Sequence, residues 1–383
     1  MSALIDFIRE RFKPVKPLPA SLQHRLFTPP DKSPYRLHLR MQPDGSGILI
    51  VNAATVLHLN PSATEYAYHM LHGSAPEEVG KIIASRYRVN RRQAQQDFID
   101  FVQRVEALIE TPDLDPVSFL DFERVNPYSG DLSAPLRLDC ALTYRLPPGV
   151  SAEDAPKKRV DRELTTDEWK FILDKAWAVG IPHVTFTGGE PTLREDLPDL
   201  IAYAESKGMV SGLLSDGLKL VEREYLHLLL QTGLDHLLFI LQPENPVSWK
   251  ALGVVMPEDV FVTAHLTVTH KNASQAASYL DRLAKLAVRS LSMTFEPGLD
   301  DTALTLRDRA AALGLRLTWD LPVPYSASHP VSLELAEEQP QSGAGKAWLY
   351  VEPDGDVLPS QGMADQVLGN FLRDPWEKIY PQG

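Results

Sequence analysis

From about residue 136 onward the chain repeats one unit, a short apolar run followed by an amphipathic helical stretch. The apolar runs are Leu136–Tyr144, Ile181–Thr187, Met209–Leu214, Leu234–Leu241, Val260–Thr269, Ser290–Phe295 and Leu315–Leu321. Between them the spacing of apolar residues predicts helices. The first is capped by Thr165 with Glu168 three residues on, the pattern of a capping box, and closes at Gly180. The others run over Leu197–Ser206, up to Leu230, near Trp249, up to Ala287 and up to Leu313. Apolar strands alternating with amphipathic helices require parallel strands covered on both faces. An open doubly wound sheet and a partial β/α barrel both satisfy this pattern.

The first third of the chain follows a different rule. Residues 1–34 form an amphipathic start and a proline-rich arm, with Pro14, Pro17, Pro19, Pro29, Pro30 and Pro34. Strands are then predicted over Tyr35–Met41, Gly47–Val51 and Ala54–Leu59, the first two joined by the turn Pro43-Asp44-Gly45. Asn60-Pro61-Ser62 opens a helix that ends at Gly73. Ser74, with Glu77 three residues on, has the pattern that caps a second helix. A third runs over Arg91–Ile109. Residues 113–135, with Pro116, Pro127 and Pro135, read as a linker to the repeating region. The tail from 326 reads as short strands and turns, among them Ala347–Glu352 and Pro353-Asp354-Gly355, with a last helix near Trp376.

Charge and cysteine content narrow the function classes. The 383 residues carry 38 Lys and Arg against 51 Asp and Glu, a net charge of −13. That balance argues against nucleic acid as the partner. Cys140 is the single cysteine, which excludes an intramolecular disulfide and any cysteine-rich zinc or iron–sulfur site. No apolar run reaches the ~18 residues that a transmembrane helix needs. Met1–Lys13 alternates apolar and charged residues where a secretory signal would be apolar throughout, so the expected location is cytoplasmic.

The sharpest local motif is Thr187-Gly188-Gly189-Glu190-Pro191, between an apolar strand and a helix. Two glycines allow positive φ and close approach to the backbone, and a carboxylate there accepts hydrogen bonds from an ammonium group. Ligands of parallel α/β folds bind at the carboxyl ends of the strands. The same residues also suit a plain strand-to-helix turn. Other strand ends supply Arg145, Asp216, Gln242, His270, Glu296 and Asp320. His69 and His72, spaced i, i+3, have no third ligand and read as ordinary helix residues. No P-loop, nucleophile elbow or dinucleotide-binding glycine fingerprint is present.

Three groups of residues carry a family resemblance. Leu138-Asp139-Cys140-Ala141-Leu142-Thr143-Tyr144-Arg145, Thr187 to Arg194, and Leu214-Ser215-Asp216-Gly217 resemble the first strand, the Gly-Gly-Glu motif and the third-strand end of the radical S-adenosylmethionine (SAM) superfamily. Ser342-Gly343-Ala344-Gly345, Val351 to Ser360 and Leu368-Gly369-Asn370 resemble its SPASM/twitch extension. Residues around Leu59-Asn60-Pro61-Ser62-Ala63 resemble a PqqD-like peptide-recognition domain.

The resemblance implies an α/β fold. A partial (β/α)6 TIM-type barrel spans 136–325, with a winged-helix-like α+β domain at 35–112 before it and a SPASM/twitch-like extension at 326–383 after it. It implies SAM-side roles for Gly188, Gly189, Glu190, Ser215, Asp216, Gln242 and His270, and assigns no catalytic residue and no metal.

The family's Cys-x3-Cys-x2-Cys loop has no counterpart in the loop that begins Leu146-Pro147-Pro148-Gly149, and Ser342 and Ser360 stand where the extension has cysteines. The resulting expectation is a protein with no certain cofactor, at most weak SAM binding and no iron–sulfur cluster. It would be a peptide-binding or regulatory pseudoenzyme of peptide modification. Its expected partners are a precursor peptide or partner protein bound through 35–112, and a cluster-bearing homologue. The alternative is a non-radical enzyme using Glu190, Asp216, His270 or Glu296 as acid, base or metal ligand, and a general metabolite-binding module is the third reading.

Overall fold

The computed structural model describes residues 15–28, 35–51, 55–110, 132, 134–147, 162–317, 343–361, 363 and 365–381. The chain divides into two compact units, Met1–Asn126 and Pro127–Gly383.

The first unit holds a four-stranded antiparallel sheet in the order β1 (Ser21–Phe27), β2 (Tyr35–Met41), β3 (Gly47–Val51) and β4 (Thr55–Leu59). Three helices follow: α1 (Pro61–Leu71), α2 (Pro76–Arg86) and α3 (Arg91–Glu110). Leu37, Leu39 and Leu49 come from one face of the sheet and join Ala67, Val79, Ile83, Phe98 and Val105 in one buried core. Asn60 caps α1, its side chain accepting from the Ala63 N–H at 2.9 Å, and Pro61 occupies the position where no backbone donor is needed.

Two features depart from the sequence reading. β1 lies inside the proline-rich arm and pairs with β2 along all seven of its residues. It is an edge strand, so the half-buried Gln23 and the exposed His24 and Arg25 are tolerated and the alternation that marks a strand is blurred. Ser74 does not cap α2. The N-cap is Ala75, which makes no side-chain bond, and Pro76 fixes the first turn instead. The Ser74 hydroxyl meets His69 Nδ1 at 3.2 Å.

The second unit is built on one ten-stranded sheet. Its elements in chain order are β5 (Arg137–Thr143), α4 (Thr166–Ala178), β6 (His183–Gly188), α5 (Leu197–Lys207), β7 (Val210–Ser215), α6 (Arg223–Gln231), β8 (His236–Leu241), α7 (Pro246–Val255), β9 (Phe261–Val268), α8 (Ala276–Lys285), β10 (Ser290–Phe295), α9 (Asp300–Ala312) and β11 (Arg316–Leu317). β12 (Trp348–Val351), β13 (Asp356–Leu358), β14 (Gly369–Asn370) and α10 (Trp376–Ile379) complete it. Strands β5 to β11 are parallel neighbours in unbroken chain order. A doubly wound sheet reverses its strand order at a switch point. The unbroken order is that of a partial barrel, as the family resemblance implied.

Alternation assigns the two faces. Leu138, Cys140 and Leu142 of β5, Val184 and Phe186 of β6, and Leu237, Phe239 and Leu241 of β8 join the core under the helices. The concave face carries Asp139, Thr185, Leu214, Leu238, Ile240 and His265. The tail docks on this barrel's first strand: β12 pairs parallel with β5, and β13 and β14 extend the sheet antiparallel. Thr165 and Glu168 form the expected capping box at the start of α4. Asp320, Ser342 and the segment 148–161 lie outside the described residues.

Candidate cofactor site at the strand ends

Because β6 to β10 are parallel neighbours, their carboxyl ends lie along one rim. Gly188, Gly189, Glu190, Ser215, Asp216, Gln242, His270 and Glu296 all stand there.

The glycines serve the chain itself. Gly188 has φ +130°, and a Cβ there would sit 2.1 Å from Thr143 O. A Cβ on Gly189 would sit 2.2 Å from Arg145 O. The turn is laced to the end of β5, with Gly189 N–H donating to Thr143 O at 2.6 Å and Glu190 N–H to Arg145 O at 2.9 Å. This close approach of two backbones requires the pair of glycines.

Lacing the turn in this way fixes Glu190, which is 3% exposed. Its Oε1 accepts from Thr192 N–H at 3.0 Å, the Thr192 hydroxyl at 2.6 Å and the Ser215 hydroxyl at 2.8 Å. Its Oε2 accepts from Asp216 N–H at 2.9 Å. All four donors are neutral. Burial, reinforced by the charge of Glu190, holds the Asp216 carboxyl well above the usual carboxylate range. Asp216 Oδ1 accepts from Leu218 N–H at 2.9 Å.

Gln242 and His270 stand farther along the rim. Gln242 Oε1 accepts from the Asn245 side chain at 2.9 Å, and its backbone N–H donates to the Ser248 hydroxyl at 3.1 Å. His270 is exposed, its backbone N–H donating to Glu296 Oε2 at 2.6 Å and its Nε2 lying 3.1 Å from Pro297 O. The rim therefore resolves into a Glu190–Ser215–Asp216 cluster joined by direct bonds, and separate Gln242 and His270 positions.

Sequence reasoning missed three features. Thr192 supplies two of the four bonds to Glu190, although it lies in the quoted motif. Tyr225, at the start of α6, has a buried hydroxyl with no hydrogen-bond partner among the described residues, and its phenol is pushed up by burial and by the charge of Glu190. No spacing rule connects it to the motif. On the concave face, His265 lies wholly buried between the Ser292 hydroxyl at 3.0 Å and the Thr267 hydroxyl at 3.3 Å.

Residues 140–253 match the Radical SAM superfamily. The matched stretch, from within β5 to within α7, is thus similar to a radical SAM domain. The chain is 26% identical over 278 residues to a PqqA peptide cyclase of Streptomyces rochei, covering 65% of this chain and 76% of that protein. A PqqA peptide cyclase of Methylobacterium sp. (strain 4-46) is 26% identical over 263 residues, covering 60% and 67%. Among solved structures, Streptococcus suis SuiB bound to its precursor peptide SuiA superposes with a TM-score of 0.58 at 15% identity, covering 89% of this chain and 86% of that one. SuiB bound to S-adenosylmethionine gives 0.58 at 15% identity, covering 90% and 88%. These superpositions show that the fold is shared.

The expectation of no certain cofactor, at most weak SAM binding and no iron–sulfur cluster is corrected by the family match. SAM and an iron–sulfur cluster are the cofactors of this class of domain. The residues of this chain fit the two groups differently. The buried Glu190 carboxylate, with neutral donors only, suits the ammonium end of SAM. Clusters take thiolate ligands. Cys140 is the single cysteine, lies in mid-strand on the helix side of β5, and its thiol is raised by burial and by Asp139. One such thiol does not form a cluster-binding set.

Proposed function

We propose that this protein binds SAM at the Glu190 turn and acts in peptide modification, with its first unit recruiting a peptide and a partner protein of the same family completing the assembly. The observation that carries the SAM half is the buried Glu190 carboxylate, held by four neutral donors at the carboxyl rim of a partial barrel. SAM supplies an α-ammonium group, a carboxylate and an adenosine when bound. The chain's own part is to hold a carboxylate fixed and dry at the position where that ammonium docks. Ser215 and Thr192 fix the carboxylate, and the lacing of Gly189 and Glu190 to β5 fixes the turn.

The peptide half rests on the sheet of the first unit and on peptide-modifying relatives. Among the described residues β4 pairs with β3 alone, while β1 covers the edge of β2. An extended peptide adds to such an open edge through main-chain hydrogen bonds. In this reading residues 35–112 are the recognition module and 326–383 the extension that docks on the barrel. The supporting experiment selects binders from a displayed library of short peptides and maps amide exchange on the full chain with the selected peptide. Slowed exchange over Thr55–Leu59 supports the reading. Slowed exchange confined to the second unit places peptide capture elsewhere.

A further inference from the structure

We propose that Lys219 is a positioning residue for the SAM turn: its ammonium group holds Thr192, and through Thr192 it fixes the Glu190 carboxylate where that carboxylate receives the ligand. This rests on the SAM reading above and adds to it the side chain on which the turn's rigidity depends.

The chain of contacts is short. Lys219 Nζ donates to Thr192 O at 2.9 Å. Thr192 is buried, and its own N–H and hydroxyl donate to Glu190 Oε1 at 3.0 and 2.6 Å. One residue therefore takes the lysine on its carbonyl and holds the carboxylate with its other two polar groups. Thr192 lies in the single helical turn Pro191–Leu193, which Glu190 itself caps. One isolated turn is marginal by itself. A charged donor on its middle carbonyl is a stronger tie than a neutral one.

Lys219 is itself held in place. Its ammonium group lies 4.1 Å from the centroid of the Tyr225 ring, within cation–π range. The segment that carries it leaves β7 through a constrained turn. Gly217 has φ +70°, and a Cβ there would sit 2.1 Å from the Phe239 ring. The Gly217 N–H donates to the Ser215 hydroxyl at 3.0 Å, and Leu220, next to Lys219, is anchored in the core. The segment that gives the Ser215 hydroxyl and the Asp216 N–H to Glu190 thus gives Lys219 to Thr192, and the two turns are tied at three points.

Positioning and plain charge predict opposite effects. SAM carries a net positive charge, so removing a nearby cation without moving the turn strengthens its binding. Removing the cation that holds Thr192 loosens two of the bonds to Glu190 and weakens it. An arginine at 219 keeps both a charged donor and a group that stacks on Tyr225.

The test is titration calorimetry of the full chain with SAM in the parent, Lys219→Met and Lys219→Arg. Lys219→Met is expected to weaken binding about fivefold, the worth of roughly one hydrogen bond, and Lys219→Arg to restore most of it. Equal or tighter binding in Lys219→Met overturns the proposal and leaves the SAM reading standing. Failure of Lys219→Arg to restore binding also overturns it. Amide hydrogen exchange of the ligand-free protein gives a readout independent of SAM. The Thr192 N–H should exchange faster in Lys219→Met, with Val184 and Phe186 of β6 unchanged. Equal exchange at Thr192 in the two proteins, or faster exchange throughout β6, overturns the proposal whether or not SAM binds. No heat with SAM in the parent overturns the SAM reading, and with it the role assigned to Lys219.

Discussion

The backbone N–H of Asp216 donates to Glu190 Oε2 at 2.9 Å, so the turn that ends β6 is stapled to the turn that ends β7. Glu190 is in turn laced to β5 through its own N–H and Arg145 O. Three successive strand ends of the barrel are thereby fixed around one carboxylate. Changes at this carboxylate should alter ligand binding, and changes in the lacing should alter folding.

The lacing is the more brittle part. Alanine at 188 would combine φ +130° with a Cβ 2.1 Å from a backbone oxygen, which no side-chain movement relieves. Gly188→Ala should cost about 3 kcal/mol or more in urea denaturation. A loss under about 1 kcal/mol would show that the turn is not held against β5 as described.

The two serine/threonine capping patterns separate in a paired measurement. Thr165 accepts from Glu168 N–H and completes a capping box, whereas Ser74 is bonded to a histidine and caps nothing. Thr165→Ala should lose about 1 kcal/mol and Ser74→Ala less than about 0.5 kcal/mol in denaturant titrations. Equal losses would contradict the assignment of Ala75 as the cap of α2.

Acid should destabilise the barrel. Burial lowers His265 to about 3, and burial together with Arg137 lowers His236 to about 4. Both values lie below those of the unfolded chain, so the unfolded state binds more protons between them. The stability these residues contribute is present above the ordinary histidine pKa of about 6.5 and is lost as pH falls toward 4 and then 3. Thermal melts of His265→Asn should show a shallower decline across that range. An unchanged slope would mean that His265 is protonated in the folded protein.

Asp216 works in the opposite direction. Its folded-state pKa is raised, by burial first and by Glu190 second, so the folded state binds the extra proton. The associated cost is absent below the ordinary carboxylate range and grows as pH rises through it. Asp216→Asn should therefore raise the melting temperature more at pH 8 than at pH 4. A gain that does not depend on pH would contradict the protonated assignment.

The strand-and-helix alternation was legible because the barrel strands are rich in apolar residues on their helix-facing side, with polar residues such as Asp139, Thr185 and His265 on the other, and their helices carry one apolar stripe. Between Leu136 and Leu317 each expected strand has its counterpart. β1 was not legible, since an edge strand flanked by prolines needs no alternation. The Ser74 cap failed because two signals competed two residues apart, and Pro76 prevailed.

At the site, the Gly-Gly-Glu turn was visible as a motif, but its first duty is close packing on Thr143 and Arg145. The direct bond between Glu190 and Asp216 joins positions 26 residues apart and left no local signal. Tyr225 was hidden for the same reason, because its place depends on how α6 packs.

The most direct measurement is SAM affinity by titration calorimetry in the parent and in Glu190→Ala, with a melting curve to confirm that the variant is folded. Binding in the parent that weakens at least about tenfold in the folded variant, roughly 1.4 kcal/mol, is the predicted result. Equal affinity in the two proteins, or no binding in either, would contradict SAM recognition at the Glu190 turn.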